Sequence, residues 1–336
     1  MRRSRTTFTA RSSADLVALA PQMLGFHPQD SVVLMTFGQP DNFQARVDLP
    51  VREDDQLAVV AMLAEVIARH RVRQAAVLIY TDDAWVAATF HDAVLARLVG
   101  DGVEVIDVLR VGADRYHDAG DVEDQGKPYD LTTHRFTAEQ VVRGQVVHKS
   151  REQLAASLRF VDAQDAHAVA EAARRLDEEG LVGPAVPSRV GHELADRGRW
   201  VQRTVRRHVR RATRPSAEDA ARLLLLVSVT DLRDVALAEM SRENAADHVE
   251  LWRDLVRRSP ADLVPAASTL LAFAAWLSGH GALAWCALDR CAEVDEKYPL
   301  AECIRDLLEG AVPPSAWSGI PSADLSVFWP LPPDAC

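Results

Sequence analysis

The clearest hydrophobic run in the chain is Ser31-Val32-Val33-Leu34-Met35-Thr36-Phe37, which predicts a strand buried on both faces. It is entered through Leu24-Gly25-Phe26-His27-Pro28-Gln29-Asp30, a turn of Gly, Pro and polar residues. Upstream, Leu16, Val17, Leu19, Ala20 and Met23 recur at helical spacing, so Ser13 to Met23 reads as a helix. Ser12 or Ser13 can cap it, Pro21 can kink its end, and Gly25 can stop it in a left-handed conformation. Downstream, Gly38 to Asn42 is turn chemistry. Phe43, Ala45, Val47 and Leu49 then alternate with Gln44, Arg46 and Asp48. That alternation predicts a half-exposed strand, antiparallel to the first and ended by Pro50.

Two strand–helix units follow. Asp54 to His70 is an amphipathic helix, Ala75 to Tyr80 a short apolar strand, and Ala84 to Val99 another helix. Gly100-Asp101-Gly102 turns the chain into a fourth strand, Val103 to Leu109. Strands separated by helices of this length imply parallel pairing with right-handed crossovers. The expected fold class is therefore α/β plus all-α: a mixed sheet covered by helices in a Rossmann-like three-layer arrangement, then a helical domain. Between Arg110 and Asp130 regular structure is expected to give way to an acidic loop. Short helices are expected at Thr137 to Arg143 and Arg151 to Arg159, with a longer one at Ala163 to Glu179.

Gly180 to Pro187 holds two prolines and two glycines and reads as a linker. We accordingly expect an α/β domain over 1–160, a helix and linker over 161–187, and a helical domain over 188–336. Its helices are expected at His192 to Thr213, Ala217 to Val227, Leu232 to Met240, Asn244 to Arg257, Pro265 to Ser278, Ala282 to Val294 and Leu300 to Glu309. Pro313 to Cys336, with six prolines, is expected to pack as an extended arm.

Composition narrows the function. The chain has 336 residues, 48% hydrophobic and 26% charged, as in ordinary globular proteins. Its net charge of −11 disfavours a general nucleic-acid or anionic-membrane binder. No apolar segment follows the four arginines between Met1 and Arg11, so export is not expected. The most apolar window, Leu270 to Leu288, is broken by Ser278-Gly279-His280-Gly281 and reads as two buried helices, not a membrane span. Four cysteines in a chain this long suggest reduced thiols in a cytoplasm.

The Leu24 to Phe37 segment resembles the LLGFHPxxSVV-like opening of an actinobacterial family of unknown function. Further pieces that resemble it are Arg46-Val47-Asp48-Leu49-Pro50, Tyr80-Thr81-Asp82-Asp83, Ser150-Arg151-Glu152 and Trp276 to Ala284. The resemblance implies no activity. Many members of that family carry a cysteine-containing segment after the fourth strand, whereas Tyr116 to Tyr129 has none here. Leu270 to Ala301 is also similar to a single tetratricopeptide-like helix pair, its small residues spaced for close helix approach.

Several groups are candidates for chemistry. Asp82 and Asp83 follow the third strand, where strand ends form the usual ligand crevice and paired carboxylates can hold Mg²⁺. Either can instead cap the next helix. His27, Asp30 and Ser31 stand together at the opening turn. A nucleophilic Ser31 with His27 as base competes there with plain turn hydrogen bonding, and no G-x-S-x-G elbow is present. Arg46 and Asp48 share the polar face of the second strand, as a ligand pair or an i,i+2 ion pair. Arg110 and Tyr116 follow the fourth strand. Eight arginines lie between Arg197 and Arg214. Arg203, Arg206, Arg207 and Arg210 among them are candidates for contact with an anion or a partner, or for neutralising acidic surface.

No phosphate-loop or dinucleotide pattern survives. Gly120 to Lys127 has the wrong spacing, and Gly279 to Ala284 joins two helices. Cys286, Cys291 and Cys303 are too widely spaced for a zinc knuckle. Neither a metal nor a cofactor is expected, and no catalytic residue is assigned. The expectation is a non-catalytic cytoplasmic protein that binds a protein partner, a second copy of itself or a small ligand at the domain junction. The alternative is a Mg-dependent enzyme acting on a phosphate-bearing substrate through the strand-end carboxylates, with Arg46 or Arg110 offsetting substrate charge.

Overall fold

The computed structural model describes residues 9–39, 41–142, 146–159, 162–182 and 190–328. The basic start (1–8), Pro40 of the first turn, Arg143 at the end of an expected helix, most of the expected linker (183–187) and the end of the expected arm (329–336) lie outside the described residues. The chain divides into two compact units, Ser4–Leu154 and a helical one from Ala155 onward.

In the first unit, α1 (Ser13–Leu24) starts at Ser12, whose Oγ accepts from the Asp15 amide at 3.2 Å. It ends at Gly25 with φ +79°, the left-handed stop expected of glycine. β1 (Ser31–Phe37) and β2 (Gln44–Asp48) form a hairpin. α2 (Glu53–Arg69) then leads to β3 (Gln74–Tyr80), and α3 (Ala84–Gly100) to β4 (Glu104–Val111). The sheet order is β2-β1-β3-β4, continued by β5 (Arg115–Asp118) and β6 (Lys127–Pro128). α4 (Arg135–Val142) and α5 (Arg151–Ala156) follow.

The pairing follows from the connections. The short turn after β1 forces an antiparallel neighbour, while helical crossovers carry the chain from β2 to β3 and from β3 to β4 in one direction. β1 is therefore antiparallel to both β2 and β3, and β3 is parallel to β4.

One expectation needs correction. The segment after Arg110 is not merely a loop, because β5 and β6 add a small antiparallel extension to the β4 edge. β5 is Arg-Tyr-His-Asp and β6 is Lys-Pro, too short and too polar to show a period of two. Their pairing is supplied by β4, not by their own pattern. The acidic run is the loop of this hairpin, and its carboxylates bond its own amides. Asp118 accepts from Gly120, Asp121 from Glu123, and Asp124 from both Gly126 and Asp118.

Alternation divides the core. Val32, Leu34, Ala75, Val77, Ile79 and Val108 face α2 and α3, where Val60, Leu63, Ile67, Phe90, Val94 and Leu98 complete a buried cluster. A register shift between Ala75 and Ala76 turns Asp107 to the opposite face, where Ser13 at the start of α1 donates to it at 2.6 Å. Helices thus lie on both faces of the sheet.

The second unit contains α6 (Ala163–Glu178), α7 (Val190–Arg211), α8 (Ala217–Val227), α9 (Thr230–Ala238), α10 (Ala245–Arg258), α11 (Val264–Leu277), α12 (Gly281–Ala292) and α13 (Pro299–Glu309). α11 is buried along its whole length, because it is apolar all round. It packs on α10, α12 and α13. Beyond α13 the described residues hold only single helical turns. Trp317 pins this arm: its ring stands edge-on to Phe273, 4.8 Å between centroids, and its Nε1 donates to the Met240 carbonyl at 3.0 Å.

Candidate functional site

The strand register gathers the candidate residues at one end of the sheet. Asp48, Ser31, Tyr80, Val111, Tyr116 and Lys127 form a continuous row across six strands. This is the carboxyl end of β2, β3 and β4 and the start of β1, so the His27 turn, Asp82-Asp83 and Arg110 share it. Alternation then separates them. Ser31, Arg46, Asp48 and Tyr116 lie on the α1 face, and Arg110, in register with Ile79 and beside Val108, lies on the face of α2 and α3.

Locally, most of these groups have structural partners. The chain around His27 is clamped by His148, which accepts from the His27 amide at 3.0 Å and donates to the Gly25 carbonyl at 2.8 Å. Burial holds the His27 imidazole below its usual pKa. Asp30 is exposed with φ +42°, and its carbonyl accepts from Leu49 at 2.9 Å. Ser31 is 0% exposed and its Oγ has no hydrogen-bond partner among the described residues, so neither His27 nor any other described base touches it. Arg46 pairs with Asp48 at 2.5 Å and donates to the Gln29 carbonyl at 3.4 Å.

Asp83 is the N-cap of α3, with Oδ1 accepting from Trp85 and Val86 at 2.9 and 3.0 Å. Asp82 is exposed and lies close to Gly112, where a Cβ would stand 3.5 Å from its Oδ1. Arg110 is 9% exposed and has no ion pair among the described residues. Tyr116 is half-buried beside Tyr129, with 6.5 Å between ring centroids.

Two tyrosines of this neighbourhood, and Asp15 in the first turn of α1, are not singled out by the sequence. The Tyr80 hydroxyl is buried without a hydrogen-bond partner among the described residues, and burial raises its pKa. The Tyr129 hydroxyl donates to the Gly112 carbonyl at 2.8 Å. Asp15 accepts from the Arg11 amide at 2.7 Å and pairs with His134 at 3.1 Å and Arg135 at 3.0 Å. Only Asp15 leaves a trace in the sequence, as the fourth residue of a Ser-x-x-Asp capping pattern. Among the described residues no three His, Cys, Asp or Glu side chains converge as a metal site requires.

In the second unit the arginine helix is largely engaged with acidic neighbours. Arg206 pairs with Glu239, and Arg207 with Asp219 at 2.8 Å. Arg203 and Arg210 are exposed, without an ion pair among the described residues. Cys286 and Cys291 are buried, and burial pushes the Cys291 thiol up to about 12, where it is inert as a nucleophile. No helix among the described residues is long and apolar enough to cross a membrane.

Two clefts are lined by none of the residues of the sheet-end row. One, of about 370 Å³, is lined by Ser228, Asp262, Pro265, Ala266, Val294, Asp295 and Tyr298 of the helical unit. The other, of about 450 Å³, lies between the outer faces of α2 and α3. Glu53, Gln56 and Leu57 form one wall, and Trp85, Ala88, Thr89, Asp92 and Ala93 the other. Gln56 ties the walls together, its Nε2 donating to the Pro50 carbonyl at 3.0 Å and the Val86 carbonyl at 3.3 Å. Trp85 is 73% exposed, Leu57 50%, and Val51 at the entry to α2 78%.

No curated protein matches the chain, and neither does any solved structure. A family model described as a domain of unknown function, DUF4192, matches residues 14–315, spanning both the sheet and the helices through α13. The chain belongs to this family of domains of unknown function.

Proposed function

We propose that the protein is a non-catalytic binding protein and that it engages a protein partner through the outer face of α2 and α3. One observation carries the reading: a large aromatic residue, Trp85, stands 73% exposed beside Leu57 and above a cleft of about 450 Å³. Leaving such surface in water forgoes roughly 25 cal/mol per Å² of apolar area. Contiguous exposed apolar surface therefore commonly marks an interaction site, and tryptophan is enriched among residues that dominate binding. The structural engagement of Asp83, Arg46 and Asp48 supports the same reading, since those groups already serve the fold.

The test is site-specific photocrosslinking in the host cell, with a photoreactive phenylalanine analogue at position 85 and a control at Val99, also exposed on α3. A discrete adduct at 85, absent at 99 and lost with Leu57→Asp, is the expected result. Equal labelling at both positions would remove the reading.

The second reading is a Mg-dependent enzyme acting on a phosphate-bearing substrate at the sheet end. It draws on the nearly buried, unpaired Arg110 and the exposed Asp82 at the same end. Thermal unfolding with Mg²⁺ and a nucleotide panel tests it, because a ligand of the folded state raises the midpoint by mass action. A shift lost in both Asp82→Asn and Arg110→Met would favour this reading, and an unmoved midpoint would count against it.

A further inference from the structure

We infer that the α2–α3 cleft docks a basic peptide segment of a partner protein, one built around a single large apolar side chain flanked by lysine or arginine. This rests on the partner-binding reading above and adds the chemistry of the partner. The cleft takes part of its lining from apolar side chains: Leu57, Ala88, Ala93 and the Trp85 ring. Its size falls within the ~300–1,000 Å³ typical of sites that enclose a compact ligand, enough for an anchoring side chain but not for a folded surface.

The rim is acidic. Glu53 and Asp92 line the cleft, Asp54 and Asp55 follow Glu53 in the first turn of α2, and Asp83 heads α3. All five are exposed; Arg52 sits 3.9 Å from Asp55, and the His91 imidazole Nδ1 lies 2.9 Å from Asp92. The five carboxylates leave a local excess of negative charge around the cleft, screened progressively as salt rises. A segment carrying positive charge on both sides of its anchor satisfies that rim, and an acidic one is repelled by it. The Trp85 ring face is available to a guanidinium or ammonium group. Gln56 also lines the cleft, but it is 1% exposed and its amide braces the two helices, so recognition rests on the apolar anchor and the charged rim.

The experiment selects binders from a random twelve-residue peptide library on the full chain, in parallel with Trp85→Ser and with the charge-reversed pair Glu53→Lys/Asp92→Lys. Circular dichroism checks that all three are folded. Peptides enriched on the wild type but not on Trp85→Ser should carry Leu, Phe, Met or Trp flanked by Lys or Arg. Raising salt from 0.05 to 0.5 M should weaken them about tenfold or more, as expected for exposed charges. The charge-reversed protein should favour acidic flanks instead. Wild-type-specific peptides with no basic bias, or an unchanged preference after charge reversal, would overturn the partner chemistry while leaving the cleft as a docking surface. Identical selections on wild type and Trp85→Ser would overturn both this inference and the reading it rests on.

Discussion

His248 lies on α10 with 1% of its surface exposed, one helical turn before the fully buried Trp252. Among the described residues its Nδ1 has no partner, and the contact that favours the charged form is a hydrogen bond with the Glu239 backbone. Burial therefore dominates and pushes the imidazole down to about 4 from its ordinary 6.5. The sign of the consequence is fixed by linkage. Above pH 6.5 the ring is neutral in folded and unfolded chains and adds no pH dependence. Between 6.5 and about 4 the unfolded chain takes up a proton that the folded chain refuses, so stability falls as pH falls. The gap of about 2.5 pH units, at about 1.36 kcal/mol each, gives a full loss of about 3 kcal/mol by pH 4. At pH 5 about 2 kcal/mol of it is already gone.

The assay is urea unfolding followed by tryptophan fluorescence, which reports chiefly on the helical unit because six of the seven tryptophans lie from Trp200 onward. Wild type and His248→Gln are compared at pH 7.5 and pH 5.0. Glutamine keeps a donor near the Nε2 position and does not titrate in this range. Burial also lowers the pKa values of His27, His208 and His280, but these residues are common to both proteins and cancel. Wild type should lose about 2 kcal/mol more than His248→Gln between the two pH values. Equal losses would refute the argument that burial, uncompensated by a partner, controls this histidine.

Gly25→Ala tests the backbone argument alone, because no atom lies within 4 Å of the added Cβ and only the φ of +79° opposes it. It should cost about 1–2 kcal/mol, read in the thermal midpoint, with Gly25→Asn costing less; two equal costs would mean that the left-handed conformation is not the constraint. Asp83→Ala should cost about 1 kcal/mol, since two α3 amides lose their acceptor, and Asp83→Asn should restore most of it. A large loss in Asp83→Asn as well would show that the charge, not the cap, matters.

Local rules carried much of the fold. The apolar run fixed β1 at Ser31–Phe37, and alternation over Phe43 to Leu49 fixed both the place of β2 and its antiparallel sense. Gly25 and Ser12 marked the two ends of α1 through their own conformational and hydrogen-bonding preferences. For the candidate site, the two-residue spacing of Arg46 and Asp48 was enough to read an ion pair, and Asp83 ahead of an apolar helix was enough to read a cap. Trp85 was also within reach of a helical wheel. Ala87, Phe90, Val94 and Leu98 define the buried stripe of α3, and position 85 falls on the opposite side of it.

What pattern could not supply is anything that depends on pairing between distant segments. β5 and β6 exist because the β4 edge offers them hydrogen bonds, and no property of four or two polar residues announces that. Register alone decided that Ser31, Tyr80, Val111 and Tyr116 stand in one row, and that Arg110 turns to the other face from Asp48. A shift of one residue in β4 would exchange those faces without changing a letter of the sequence. The clamp of His148 on Gly25 and His27 spans more than a hundred residues, so its cause lies in tertiary packing and not in local preference. The α2–α3 cleft has the same origin: each helix could be read by itself, but only their packing over one sheet face sets Leu57 opposite Trp85.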